Sequence, residues 1–262
     1  MTLPADGSQD KLIESIAAVN KNVIVVNTTG VPVDLPWLEN VSAFLQAWYA
    51  GQKTGNAILD VLLGVTTPSG KLPVSWPKKN EHTGCYGHFG LDSYESRKVE
   101  YVEGEFIGYR WFDRLWGHEK EVRFPFGYGL SYTSFNISGF NIEGRISNDP
   151  CEKVKITAQV KNTGLIKGSE TVQIYLQPPV VKGVERPIKT LVGFAKLELQ
   201  TGEEKVAEVE FLRDGAAYWD ERKNCWAVSE GEYKVLVATS SGAKDVKGIL
   251  EMFVDEDFSF GP

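Results

Sequence analysis

The chain has 262 residues, enough for one or two domains. At 42% hydrophobic and 24% charged it falls in the globular range and can bury a sizeable core. The formal net charge of −7, with no basic patch, argues against a nucleic-acid partner, and no apolar run approaches the roughly 20 residues of a membrane span. Seven Trp, ten Tyr and thirteen Phe fit a packed core. They also fit sugar binding, because flat rings stack on pyranose faces.

Met1 to Asp10 is polar and lacks the charged-then-apolar order of a signal peptide. The cysteines, Cys85, Cys151 and Cys225, are odd in number and form no CxxC pair or Cys/His cluster, which argues against a disulfide framework and a zinc site. The sequence therefore leans towards a cytoplasmic location, or a secreted one if a longer N-terminus exists. Asn27-Thr28-Thr29, Asn40-Val41-Ser42 and Asn136-Ile137-Ser138 match the N-glycosylation pattern, a short pattern that also arises by chance. Asn27 closes an apolar strand, a poor place for a glycan.

The first predicted element is a helix. Asp6 to Ser8 offers capping residues, and Leu12, Ile13, Ile16, Ala17 and Val19 then recur at helical spacing. Val23-Ile24-Val25-Val26 is apolar on both faces, as in a strand of a buried parallel sheet. Val41 to Tyr49 reads as a second strand, and Asn56 to Leu63 as a helix stopped by Gly64. Gly70 to Pro77 reads as a short strand closed by proline. This order implies an α/β layer with parallel strands, but two or three strands leave apolar edges uncovered.

Residues 78–132 are rich in Gly, Tyr, Trp and charge without a period, and read as a linker that wraps the surface. From about Tyr132 the period becomes two. Val154 to Val160, Thr171 to Leu176, Lys205 to Phe211 and Glu232 to Ala238 alternate between turn signals such as Asn162-Thr163-Gly164 and Thr201-Gly202. That pattern predicts an immunoglobulin-like β-sandwich, which needs roughly 100 residues. The predicted fold class is α/β plus all-β, in three parts: 1–77, the linker 78–132, and 133–262.

Glycoside hydrolysis uses two carboxylates, roughly 5 Å apart in retaining enzymes. The local candidates are Glu103 and Glu105 in Tyr101-Val102-Glu103-Gly104-Glu105-Phe106; if that run is extended, both point to one side. The alternative is that they pair with Arg110, Arg114 or backbone N–H groups. Asp34 and Gln52 each follow a predicted strand, where ligands of open α/β sheets bind; the alternative is loop hydrogen bonding or capping. His82, His88 and His118 show no ligand spacing. Ser75 and Ser131 lack the Gly-x-Ser-x-Gly context of a hydrolase elbow. Gly127-Tyr128-Gly129 has no strand before it and no helix after it, so it is not a phosphate loop.

Several segments, in order, resemble glycoside hydrolase family 3. They include Val25 to Val33 with Pro36-Trp37, Trp48-Tyr49-Ala50-Gly51-Gln52 with Asp60 to Gly64, and Pro68-Ser69-Gly70-Lys71-Leu72-Pro73. Tyr101 to Asp113 resembles the family's Gly-Tyr-Arg segment, and Phe124 to Phe135 its junction into a fibronectin type III-like domain. Within that domain Val160 to Gly164, Gly168-Ser169-Glu170, Val172 to Tyr175 and Arg186-Pro187 with Leu191 to Phe194 match as well.

The resemblance implies a partial α/β sandwich followed by a fibronectin type III-like domain, the C-terminal part of a retaining β-glucosidase that uses no metal or cofactor. It places the nucleophilic aspartate on an N-terminal barrel. In fungal-type members it places the acid/base glutamate just before a segment similar to Met1-Thr2-Leu3-Pro4. Both catalytic carboxylates are therefore expected outside this sequence, with β-glucosides or cello-oligosaccharides as substrates of the intact enzyme. Asp34, Gln52, Glu103 and Glu105 remain candidates for the substrate rim only. The alternatives are a non-catalytic carbohydrate- or protein-binding module, and a β-xylosidase or N-acetylglucosaminidase of the same family.

Overall fold

The computed structural model describes residues 7–88, 99–114 and 120–261. The expectations placed on Met1 to Asp6 and on His118 lie outside these residues. The chain divides into two compact units that alternate along the sequence. Among the described residues the first takes 7–66, 76–88, 99–102 and 120–124, and the second takes 67–75, 103–114 and 125–261.

In the first unit helix α1 runs over Ser8–Val19, with Gly7 at its N-cap in the left-handed region and no side-chain cap. The β-branched run produces strand β1, Ile24–Asn27, which pairs in parallel with β2, Ala43–Gln46. Helix α2 follows over Thr54–Leu62, and Gly64 comes after it at φ 72°, the left-handed conformation expected of a helix stop. The aromatic core lies between these elements. Trp37 and Trp76 are each 1% exposed, and both satisfy their indole N–H, Trp37 on Asp10 Oδ1 at 2.7 Å and Trp76 on the Val33 carbonyl at 2.8 Å. Phe44 meets Trp76 edge-on at 5.7 Å and stacks on Phe124 at 6.5 Å.

The predicted closing strand is shorter than Gly70 to Pro77. Only β3, Trp76–Pro77, is extended, and it pairs antiparallel with β4, Val122–Phe124, rather than joining the parallel pair. The apolar periodicity of α1 is also only half used. Ala17 is buried, while Leu12, Ile16 and Val19 are 60%, 42% and 88% exposed. Leu59, Leu62 and Leu63 at the end of α2 are exposed too.

The second unit contains a sandwich of antiparallel sheets. One sheet has the order β5 (Phe135–Glu143), β6 (Val154–Asn162), β9 (Glu204–Phe211). The facing sheet has the order β13 (Val246–Val254), β12 (Gly231–Ala238), β7 (Gly168–Gln177), β8 (Thr190–Leu199). A smaller sheet joins β10 (Tyr218–Asp220), β11 (Cys225–Val228) and β14 (Phe258–Phe260). The alternation read from sequence builds the core directly: Val154, Ile156, Ala158 and Val160 of β6 pack in one cluster with Val172, Ile174 and Leu176 of β7 and Tyr233, Val235 and Val237 of β12.

Strand β7 departs from simple alternation, because Gln173 and Tyr175, on its other face, are also buried. The reason lies earlier in the chain, in helix α3, Tyr109–Arg114, and the turn at Pro125–Gly129. Tyr109 sits edge-on to Tyr175 at 5.8 Å and stacks on Phe126 at 5.1 Å. Gln173 donates to the Gly127 and Thr239 carbonyls and accepts the Tyr175 hydroxyl at 2.6 Å. Gly127 stands at φ 80°, and a Cβ there would meet Gln173 Oε1 at 2.2 Å, so backbone freedom and space both require glycine.

Candidate functional site

The carboxyl ends of β1 and β2 are the natural place for a ligand on the parallel pair. Asn27 and Gln46 end the two strands in register. Asn27 Nδ2 donates to Gln46 Oε1 at 2.7 Å and to Thr29 Oγ1 at 2.8 Å, while Gln46 Nε2 donates to the Thr29 carbonyl at 2.9 Å. Both N–H groups of the Asn27 amide are thereby used. This network clamps the loop after β1 to the end of β2, and it explains why Asn27 is buried and a poor glycan acceptor.

Beyond the clamp, Trp48 adopts φ 51°, a left-handed conformation rare for a bulky residue, and rests on Trp76 at 6.3 Å. The Tyr49 ring then lies over Gly30, where a Cβ would meet Tyr49 Cε2 at 2.6 Å. Tyr49 is itself 78% exposed. Asp34 is half-buried between the core residues Val33 and Leu35, and Gln52 is exposed in the short 3₁₀ turn Gly51–Lys53. The loop after β2 therefore offers an exposed aromatic ring and an exposed amide.

Glu103 and Glu105 belong to the second unit, so the four candidates divide between the two units. The run that carries them is not extended. Residues 102–105 form a turn, Phe106 N donates to the Glu103 carbonyl at 3.0 Å, and Gly104 adopts φ 56°. The two-sided alternation that would align both carboxylates is lost, because Gly104 reverses the chain between them.

Around this turn the charges form pairs. Lys189 holds Asp113 at 2.8 Å with both side chains largely buried, Arg114 pairs with Glu185, and Arg114 also covers the Phe106 ring at 4.3 Å. Tyr109 Oη accepts the Leu191 N–H at 2.9 Å. These contacts fasten α3 to the chain between β7 and β8. Partial burial raises the Glu105 carboxyl above the ordinary glutamate range; Arg110 and Arg186 oppose the rise and Glu185 adds to it.

The folded state thus holds the Glu105 proton more tightly than the unfolded chain does. Ionisation weakens the fold, and the penalty grows as pH rises from the ordinary glutamate value through the raised one. Glu105→Gln is expected to stabilise the chain slightly at pH 7, by less than about 0.5 kcal/mol because the group is exposed, and to be neutral below the glutamate range. Denaturant melts at pH 7 and pH 3.5 check this; a loss of stability at pH 7 would show that the ionised carboxylate makes a favourable contact.

Sequence reasoning did not find the Asn27–Gln46 clamp or the Lys189–Asp113 pair. The in-register ends of two apolar strands could have pointed to the first. Nothing local pointed to the second, whose partners are 76 residues apart.

Known proteins share this architecture. Residues 1–132 match the glycosyl hydrolase family 3 C-terminal domain, and residues 170–241 match a fibronectin type III-like domain. The chain belongs to glycoside hydrolase family 3. It is 40% identical over 256 residues to β-glucosidase B of Emericella nidulans, covering 95% of this chain and 30% of that protein. It is 41% identical over 252 residues to a β-glucosidase of Kluyveromyces marxianus, covering 95% of this chain and 28% of that protein.

Among solved structures, the K. marxianus β-glucosidase in complex with glucose superposes with a TM-score of 0.88 at 38% identity, over 99% of this chain and 30% of that one. β-Glucosidase 3B of Thermotoga neapolitana in complex with glucose gives 0.85 at 33% identity, over 96% of this chain and 34% of that one. The chain spans about 30% of the length of the curated relatives it matches.

Proposed function

We propose that this chain is the C-terminal part of a retaining β-glucosidase that removes terminal non-reducing β-D-glucosyl residues, and that by itself it is inactive. One structural observation carries the reading: among the described residues the α/β unit has two parallel strands and leaves Leu12, Ile16 and Val19 of α1 and Leu59, Leu62 and Leu63 around the end of α2 exposed. Parallel sheets are normally covered on both faces, so this surface calls for further strands and helices of the same domain. The relatives, all longer and named as β-glucosidases, support the choice of sugar.

In this reading the nucleophile and the acid/base belong to the covering polypeptide, and this chain supplies the scaffold and rim contacts from Asp34, Gln52 and Tyr49. Glu103 and Glu105 shape the turn before α3 rather than acting on a glycosidic bond.

The isolated chain is expected to show no turnover of p-nitrophenyl β-glucoside and to self-associate through its apolar face. Co-expression with the N-terminal portion of the K. marxianus enzyme, ending where the similarity to this chain begins, is expected to give a soluble complex that hydrolyses the glucoside. Turnover by the isolated chain that survives Glu103→Gln and Glu105→Gln would overturn the reading. A soluble complex without activity would count against it as well.

A further inference from the structure

We propose that Asn136 is the acceptor of an N-linked glycan, and that of the three acceptor patterns in the sequence the fold presents this one. The pattern needs an accessible asparagine amide and a hydroxyl two residues on. In a strand, residues two apart share a face. Asn136 and Ser138 lie on β5, whose Phe135 and Ile137 pack against the sandwich core, so the pair is on the solvent face and Asn136 is exposed. Asn136 Nδ2 meets Ser138 Oγ at 3.4 Å, a long contact within the pattern itself.

The other two patterns are committed elsewhere. Asn27 is 8% exposed, and both N–H groups of its amide are used. Asn40 ends the short 3₁₀ turn Leu38–Asn40 and is exposed, but the Ser42 hydroxyl donates to the Lys21 carbonyl at 2.5 Å. Asn40 also borders a hollow shared with Glu14, Ala17 and Lys21 at α1, the helix whose apolar face calls for cover in the β-glucosidase reading. A glycan there would obstruct that cover. The exclusion of Asn40 rests on that reading; the assignment of Asn136 does not.

The surroundings of Asn136 leave room for a glycan and give it partners. Asn136 is in register with Lys161, and Lys161 with Glu204. Ser138 is in register with Gln159, which faces Val206 on β9. Val206 is the one apolar side chain in these two rows, so a glycan lying across them covers no apolar patch and meets amide and charged groups. β5 is also the edge of its sheet, and a bulky neutral chain there hinders pairing with another protein strand.

In the transfer, the Asn136 amide nitrogen forms a bond to the anomeric carbon of an oligosaccharide carried on a polyisoprenyl diphosphate. The bond from that carbon to the diphosphate oxygen breaks, its electron pair leaves with the diphosphate, and the amide gives one proton to the transferase. The modification belongs to the secretory route, so the proposal takes the secreted one of the two locations named from the sequence.

The full chain is made in yeast behind a secretion leader, alone and with the N-terminal portion of the K. marxianus enzyme. Glycans are released enzymatically in heavy-oxygen water, which marks each modified asparagine as a labelled aspartate for mass spectrometry. Label is expected at Asn136, with a single glycan-sized gain in gel mobility on release. Both should be lost in Asn136→Gln and in Ser138→Ala, which leaves the asparagine in place. Material retained in the cells is read in the same way, so poor secretion does not hide the result.

Absence of label at Asn136 in secreted and retained chain would overturn the proposal. Label at Asn27 or Asn40 in the secreted complex would overturn the claim that the fold presents one acceptor. A complex modified at Asn136 but inactive on the glucoside would overturn only the glucosidase reading, and an active complex bare at Asn136 would overturn only the acceptor.

Discussion

Asn162→Ala is expected to cost the second unit about 3–5 kcal/mol. Asn162 is 0% exposed at the end of β6, and its carboxamide is saturated. Its Oδ1 accepts the Thr133 hydroxyl at 2.8 Å and the Gly164 N–H at 3.0 Å, while its Nδ2 donates to the carbonyls of Ile166 at 2.8 Å and Leu199 at 3.3 Å. The side chain thus ties the start of β5, the β6–β7 turn and the end of β8 together. Truncation removes four bonds worth about 1 kcal/mol each and leaves buried partners unsatisfied. Guanidinium unfolding should show a lower midpoint with an unchanged slope. A shift corresponding to under about 1 kcal/mol would mean that water replaces the amide, and the knot would then be of little consequence.

Trp76→Ala should be as damaging to the first unit, at about 3–5 kcal/mol, the range for deleting a buried large aromatic. Trp76 touches Phe44, Trp48 and Phe124, and its indole N–H is spent on the Val33 carbonyl. Its loss would open a cavity and release the loop that carries Asp34. Hydrogen exchange read by mass spectrometry resolves the units separately. Protection of Ile24–Asn27 and Ala43–Gln46 should collapse while Val154–Asn162 stays protected. Unchanged protection in β1 and β2 would show that Phe44 and Trp37 hold the core without it.

Elements whose cause is local were legible in the sequence. The β-branched run at Val23–Val26 and the alternation at Val154–Val160 each gave a strand close to its observed bounds, because one stretch of chain carries the whole signal. Strands β4, β5, β8, β10, β11, β13 and β14 were not singled out, and β4 leads towards Gly127-Tyr128-Gly129 where the sequence shows no strand. β5 carries a bulge near Gly139, and β10 and β14 are three residues long, too short for a period to register. An extended Tyr101–Phe106 would set Glu103 and Glu105 on one side, a condition the sequence leaves open; Gly104 at φ 56° instead turns the chain between them. Of the candidate site, sequence position placed Asp34 and Gln52 after their strands, but the clamp between Asn27 and Gln46 depends on parallel register, which no single segment encodes.

The dependence of β7 on earlier chain bears on how such a protein can be inherited. Tyr175 and Gln173 are sealed by Tyr109, Phe126 and Gly127, and Glu170 is held at 2.7 Å by Lys71, so the sandwich borrows its outer wall from stretches that alternate with pieces of the other unit. A gene cut at residue 133 would release a sandwich with bare tyrosine and glutamine on one face. Tyr175 is buried behind that wall, and burial pushes its phenol well above the usual range, with Tyr109 and Asp113 adding to the rise. The two units therefore cannot be shuffled as independent exons. Duplication, loss or transfer is expected to move them together, and a recombinant carrying the sandwich alone would need new apolar cover for β7 before it could persist.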